Sequence, residues 1–382
     1  MRVVLIALLF VSQFSFGGSE RFVLSSEYLN EDVNIQVSLP DTYNHSERFR
    51  YPVLIVLDGS TQFEHIAGSV KFLSTYAIIP ELIVVGVSAN NRLKYFSHTQ
   101  VEKFVDRSGK AELYTKFLQD ELLIRLSSKY RTAPYNLISG HSLSGLYTSY
   151  LALSESSEFN AFISISPSLW WDNSELVRNY AKYNENRGRP PVRWFLSMAS
   201  ETDEMKISFD AMLNNLTTNN PDNITWFHSR FPNETHDSTP LIGNGQGLQA
   251  LFEGWNAVPE VDVMSLEQLQ KFYLDKESEY GYLFPLSVHQ FNVYGLKATY
   301  EGKTEWGVEI LKSGVKTFDS SEILWDSLAT AYSLNGDLDK ALNASEKALG
   351  IAKRTKSIFL GEIVSQNESL KAKVSRKQEE KR

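Results

Sequence analysis

The chain has 382 residues, 42% hydrophobic and 22% charged, which is enough for a sizeable core and, as a prior, for two domains. Its 38 Lys and Arg against 46 Asp and Glu give a net charge of −8, which argues against a protein that neutralises phosphates, so no nucleic-acid partner is expected. The absence of cysteine excludes a disulfide framework, a thiolate metal site and a thiol nucleophile, and no two of the seven histidines stand three to five apart, so no helical metal-ligand spacing supports a metal.

The chain opens with Arg2 and an apolar run from Val3 to Val11, too short to span a bilayer, followed by Ser15-Phe16-Gly17 with small residues where a signal peptidase reads. This predicts a cleaved secretory signal over residues 1–17 and a periplasmic or secreted protein. No later stretch reaches the ~18 apolar residues of a spanning helix, so no membrane span is expected. A secreted chain without cysteine suits a bacterial envelope or exterior, where disulfides are optional.

Val33 to Leu39 alternates polar and apolar side chains, as a half-buried strand at a sheet edge does, and Pro40-Asp41 ends it. Val53–Leu57 and Leu82–Val87 are short β-branched runs of the kind covered on both faces. Similar runs recur at Asn136–Ser139, Phe162–Ser166, Val192–Met198 and Ile224–Phe231. Between them lie helical stretches such as Ala111–Ser128, with Leu113, Phe117, Leu118, Leu122 and Leu126 on one stripe. Alternating strands and helices predict a mostly parallel sheet with helices on both faces.

Beyond Trp255, Ala257-Val258-Pro259-Glu260 reads as a linker and nothing further reads as a strand. An offset of 34 residues aligns Phe291 with Trp325, Tyr294 with Leu328, Gly295 with Ala329, Gly302 with Gly336, Gly307 with Ala341 and Gly314 with Ala348. The second copy resembles the tetratricopeptide pattern, with Lys353 where its late proline usually stands. Two such repeats bury too little alone, so the helix near Ser265–Tyr280 should stack on one end, or the array should dock on the sheet. Lys371–Arg382 reads as a solvated, frayed end. The expected organisation is a signal at 1–17, an α/β domain at 18–257, an all-α tetratricopeptide-like domain at 263–362 and a charged tail at 363–382.

The strongest chemical signal is Asn136-Leu137-Ile138-Ser139-Gly140-His141-Ser142-Leu143-Ser144-Gly145, an apolar strand running straight into a helix. That is the context of a nucleophile elbow: Gly140 permits the sharp turn, Ser142 projects its hydroxyl from the apex, and the helix N-terminus offers N–H groups to an oxyanion. Ser144 stands where the G-x-S-x-G pattern has its last glycine. A serine needs a base, and His236 follows in a polar turn after the strand ending near Phe231. His228 lies within that strand and reads as packed or surface, while His141 reads as facing elsewhere or as flanking the pocket. The acid should follow Val192–Met198, where Glu201 stands nearest the strand end and Asp203 is the second candidate. The amides of Leu143 and of Ser60, in the loop after Val53–Leu57, are the candidate oxyanion donors. Trp170 and Trp171 stand at the same sheet end as a wall against an acyl or aryl group, or as packing. Arg92, in the loop after Leu82–Val87, is the candidate for substrate recognition.

Tyr51–Gly59, Val84-Val85-Gly86-Val87, Ser128–Arg131, Gly140-His141-Ser142-Leu143, Ser166–Trp171 and Thr235-His236-Asp237-Ser238 together resemble the putative-esterase branch of the α/β-hydrolases. That branch includes siderophore (enterobactin) esterases, feruloyl esterases and S-formylglutathione hydrolases. The resemblance covers roughly residues 20–256 and implies hydrolysis of a carboxylic ester through an acyl-enzyme on Ser142, with no cofactor. It leaves the acid ambiguous, since some siderophore-esterase relatives lean on a Ser-His pair. The expected substrate is a small siderophore, aryl or acyl ester, and the helical repeats are a candidate surface for a protein partner. The rival readings are an inactive scaffold that works through its repeats and an acyltransferase of the same fold.

Overall fold

The computed structural model describes residues 19–154, 157–183, 191–219, 222–256 and 263–379. The expected signal at 1–17 and the linker at 257–260 lie outside the described residues. Eight strands form one sheet: β1 (Ser19–Ser26), β2 (Glu31–Ser38), β3 (Tyr51–Leu57), β4 (Ile83–Val87), β5 (Thr132–His141), β6 (Ala161–Ile165), β7 (Val192–Met198) and β8 (Ile224–Arg230). Their order is β1-β2-β4-β3-β5-β6-β7-β8. β1 and β2 are antiparallel to their neighbours, and β3 through β8 run parallel.

The β-branched runs behave as their composition requires. Every residue of β3, β4, β6 and β7 is buried, which only a sheet covered on both faces allows. One expectation needs correcting: Val33–Leu39 is not at the edge, because β1 pairs along the whole of β2. β1 (SERFVLSS) has a short, mostly polar alternation that carries little periodic signal, so its pairing depends on the neighbouring strand.

The covering helices are α1 (Gly59–Thr75), α2 (Arg92–Phe96), α3 (Ala111–Lys116), α4 (Ile124–Lys129), α5 (Leu143–Leu153), α6 (Trp171–Arg178), α7 (Tyr180–Tyr183), α8 (Asp203–Thr218) and α9 (Thr239–Leu251). The predicted helix at 111–128 is α3 and α4 joined by a π-helical stretch, Phe117–Leu123. Because the parallel strands stay in register, with Leu57 opposite Val87, His141 opposite Ile165 and Ile165 opposite Ser197, the loops that follow β3, β4, β5, β6, β7 and β8 all emerge at one edge. That edge holds every candidate site residue.

The C-terminal part is helical: α10 (Leu266–Tyr280), α11 (Val288–Tyr300), α12 (Thr304–Thr317), α13 (Glu322–Leu334), α14 (Leu338–Thr355) and α15 (Leu360–Glu379). The starts of α11 and α13, and of α12 and α14, are 34 residues apart, which matches the offset in the sequence. Gly295 and Gly314 sit at helix crossings, where an added Cβ would come within 2.5 Å of Leu311 Cγ and 2.9 Å of Phe291 Cβ respectively, whereas Gly302 and Gly336 stand in the turns with φ 81° and 86°. The end expected to fray, Lys371–Arg382, is helical as far as its described residues go, since α15 runs to Glu379, and the expected charged tail at 363–382 buries Ile363, Asn367 and Leu370 in its first part. Its last turns are solvated but helical.

This helical part docks on the sheet. Leu137, Ile163 and Phe195 share one apolar cluster with Phe252, Trp255, Tyr280, Phe284, Phe291 and Tyr294. Arg193 of β7, 2% exposed, donates to Leu251 O (2.6 Å) and to Glu279 Oε1 of α10 (2.7 Å). Next to β4, Glu81 is 3% exposed, accepts the Thr42 hydroxyl, and lies 3.5 Å from His289 Nε2 of α11. Burial pushes the Glu81 carboxyl from an ordinary 4.5 up to about 7 and the His289 imidazole down to about 4.

The folded chain therefore holds a proton on Glu81 that the unfolded chain releases between pH 4.5 and about 7, so stability from this group falls as pH rises through that window. Glu81→Gln keeps the hydroxyl contact and removes the slope. Urea unfolding should show the variant gaining roughly 3 kcal/mol over wild type at pH 8 and almost nothing at pH 4.5, since each tenfold change in proton affinity is worth about 1.4 kcal/mol. Parallel pH profiles for the two proteins would contradict this account.

Candidate active site

β5 delivers Ser142 to the edge of the sheet in a backbone conformation that L-residues rarely adopt, φ 61° and ψ −114°. Such strain persists only where the surroundings over-determine it. Here Ser142 N donates to Ile165 O (2.9 Å), and its carbonyl accepts from Leu146 N (2.9 Å) and Ser168 N (3.0 Å). Gly140 is required by close approach, since a Cβ there would lie 2.3 Å from Ser144 O, and one on Gly145 would lie 2.9 Å from Ile165 O. The apex hydroxyl stands clear of the sheet, with Ser168 Oγ 3.4 Å away.

The loops after β7 and β8 are tied together by Ser200, whose N–H and hydroxyl both donate to Glu234 O (3.1 and 2.7 Å). This tie brings His236 Nδ1 to 2.8 Å from Glu201 Oε1. Glu201 is 8% exposed at its side chain. Burial, the largest single influence, raises its carboxyl, but the hydrogen bonds from His236 and Ser166, a backbone hydrogen bond and the charge of His236 together outweigh it and hold the group below the ordinary value of 4.5. Asp203 begins α8 with φ 50°, is exposed, and accepts from Thr202 Oγ1 (2.9 Å). Of the two candidate acids, Glu201 is the one in contact with the imidazole.

Of the two expectations for His141, flanking the site is the one its ring contact fits. Its ring centroid is 4.5 Å from that of His236, so the residue preceding Ser142 lies against the imidazole. Burial first, and then the neighbouring His236, push His141 down to about 4, so it stays uncharged at neutral pH. Among the described residues no hydrogen bond joins Ser142 Oγ to His236. His228 stacks on Trp226 within β8 and takes no part.

Leu143 is the first residue of α5 and Ser60 the second of α1. First-turn amides have no acceptor within their own helix, so both are available to an anion. Trp170 is 38% exposed and stands two residues beyond Ser168, whereas Trp171 is buried and donates Nε1–H to Thr99 Oγ1 (3.1 Å), which is packing. Arg92 reaches the same edge, but its guanidinium is engaged: Nε and Nη2 donate to Asp58 Oδ1 and Oδ2 (2.7 and 3.0 Å), and Nη2 also to His141 O (3.2 Å).

Two participants are not visible in the sequence pattern. Ser168 meets Ser142 only through the turn after β6. Asp58 is the other: it adopts φ 54° before α1 and gathers Arg92 and Ser144 on one carboxylate. An aspartate between a buried strand and a glycine was a signal for such a role, though nothing in the sequence names its partners. Among the described residues no group of three or more His, Asp or Glu is placed to hold a metal ion.

The arrangement is a strained serine at a helix start, an imidazole packed on the residue before it and hydrogen-bonded to a nearly buried carboxylate, and two first-turn amides, the parts of nucleophilic acyl transfer. A family model described as "Putative esterase" matches residues 26–234. The chain is 25% identical over 185 residues to the ferri-bacillibactin esterase BesA of Bacillus subtilis (strain 168), covering 43% of this chain and 63% of that protein. The structure of an IroE-like serine hydrolase from Shewanella oneidensis superposes with a TM-score of 0.68 at 24% identity, over 78% of this chain and 99% of that one. An uncharacterised protein from Capnocytophaga ochracea DSM 7271 superposes with a TM-score of 0.59 at 18% identity, over 93% of this chain and 99% of its own. At 93% coverage, that similarity of fold extends into the C-terminal helices.

Proposed function

Since the chain belongs to the esterase family described as "Putative esterase" and is a carboxylic ester hydrolase of the serine type, we propose that it acts through an acyl-enzyme on Ser142, with His236 as base and Glu201 as its orienting acid. The observation that carries this reading is the His236–Glu201 hydrogen bond of 2.8 Å, held beside the strained Ser142 by the contact of His141 with His236.

In the proposed reaction Ser142 Oγ turns from Ser168 toward His236, gives its proton to Nε2 and attacks the ester carbonyl. The carbonyl oxygen becomes an oxyanion between the amides of Leu143 and Ser60, each contributing about 3 kcal/mol when well placed. Glu201 stabilises the imidazolium that forms. Collapse of the tetrahedral species expels the alcohol, which takes the proton from His236. Water activated by the same imidazole then attacks the acyl-enzyme and releases the acid, restoring Ser142.

The proposed substrate is a siderophore or a related aryl or acyl ester. The resemblance to a ferri-bacillibactin esterase and the exposed face of Trp170 beside Ser168 support it. The proposed compartment is periplasmic or extracellular, on the strength of the N-terminal pattern. No helix among the described residues is long and apolar enough to cross a membrane.

The test is covalent trapping. A p-nitrophenyl alkylphosphonate should inactivate the protein with one equivalent of p-nitrophenol released, and peptide mass spectrometry should find the adduct on Ser142. Hydrolysis of p-nitrophenyl butyrate should stop in step. An adduct elsewhere, or continued turnover by fully labelled protein, would overturn the reading.

A further inference from the structure

Ser144 breaks the usual glycine pattern of the elbow, and Arg92 commits its guanidinium to the protein rather than leaving it for a ligand. The two features meet on one carboxylate. Ser144 is fully buried; its hydroxyl donates to Asp58 Oδ2 (2.7 Å) and accepts from His141 N–H (2.9 Å). Arg92 grips both oxygens of Asp58 and the carbonyl of His141. Asp58 immediately precedes Gly59-Ser60, and Ser144 immediately follows Leu143. The Ser144–Asp58 bond therefore joins the two turns that each carry one candidate oxyanion amide.

We propose that Asp58, Ser144 and Arg92 are positioning residues that set the distance between the two halves of the oxyanion hole, with Arg92 also neutralising the Asp58 charge beside the developing oxyanion. This rests on the Ser142 reading given above. Two physical consequences follow. Donors aimed at a transition state lose force when they shift by a fraction of an ångström, because their value lies in preorganisation. A carboxylate left unpaired two residues before the Ser60 amide and hydrogen-bonded to the residue after Leu143 would also repel the negative charge that forms at the site, and Arg92 offsets it with a bidentate, charge-assisted pair. The Gly59 backbone has no room to compensate: a Cβ on it would come within 2.6 Å of Gly86 C and Val87 N, so the turn is wedged against β4.

The role of Arg92 is distinguished from simple support by the sign of a rescue. Arg92→Met should lower kcat for p-nitrophenyl butyrate about tenfold or more, per site titrated with the phosphonate, and leave KM within about twofold. Adding Asp58→Asn to that variant should recover most of the loss, because the repelling charge is gone. A merely structural role predicts the opposite, since the double variant removes one more native interaction. Ser144→Ala, which leaves the Arg92–Asp58 pair intact, should lower kcat by a similar factor and weaken binding of phenylboronic acid, a tetrahedral mimic, in the same proportion.

Wild-type kcat per titrated site in both Ser144→Ala and Arg92→Met would overturn the proposal, as would a double variant slower than Arg92→Met alone. Ser142→Ala runs beside them. Should it keep full turnover, the serine reading falls and this proposal falls with it. Should it lose turnover while the others do not, only the positioning role is lost.

Discussion

Ser142→Ala is expected to lower kcat for p-nitrophenyl butyrate by at least ~10⁴-fold while leaving the thermal unfolding midpoint almost unchanged. Removing the nucleophile of a serine hydrolase leaves only oxyanion stabilisation and binding, and the loss seen for a comparable residue is of the order of 10⁶. The fold should not notice. Alanine at φ 61° bears a strain similar to that of serine, the backbone bonds to Ile165 and Ser168 remain, and the hydroxyl gives up only its long approach to Ser168 Oγ at 3.4 Å. Steady-state kinetics with differential scanning fluorimetry on the same preparations checks both halves. Turnover within about tenfold of wild type would leave the protein an ester hydrolase that uses some other group, and the elbow would be architecture alone.

The second large effect should separate the two acids. Glu201→Gln is expected to cost ~10³–10⁴-fold in kcat, and Asp203→Asn less than about twofold. Glu201 is in contact with His236 and nearly buried, so a neutral amide there either presents its oxygen, which orients the ring without stabilising imidazolium, or its NH₂, which imposes the wrong tautomer. Asp203 is exposed at the start of α8 and meets only Thr202, where a neutral side chain changes little near the imidazole. The decisive reading is the ratio of the two kcat values. Equal, small effects would favour a mechanism that runs on serine and histidine without a triad acid.

The positions of the chemistry were legible because they depend on local rules. Gly140 and Ser142 sit between an apolar strand and a helix start, and that order of apolar run, tight turn and apolar helix is readable at short range. The same holds for the helical repeats, where small residues recur 34 positions apart because helices approach closely at Gly295, Gly307 and Gly314 and the turns at Gly302 and Gly336 need a positive φ. Nearness to the strand end ranks Glu201 ahead of Asp203, but that ranking rests on a difference of two residues and names no partner. Both follow the same strand within a few residues, and the backbone of Ser200, tied to Glu234 far along the chain, decides which carboxylate meets His236. The destination of Arg92 was equally hidden, since its partner Asp58 is brought to it by the parallel pairing of β3 with β4.

By itself, then, the sequence determined the layered α/β architecture, the elbow that lifts Ser142, the arrival of His236 after the last strand and the all-helical C-terminal part, because each is written in periodicity and turn chemistry over short stretches of chain. Only the tertiary structure decided that β1 covers the expected edge strand, that His141 lies against His236, that Glu201 is the acid in contact and that Arg92 and Ser144 converge on Asp58. Those outcomes depend on side chains from loops far apart in the chain meeting at one sheet edge, and hydrogen-bond geometry at 2.7–2.8 Å is set by strand register rather than by residue type.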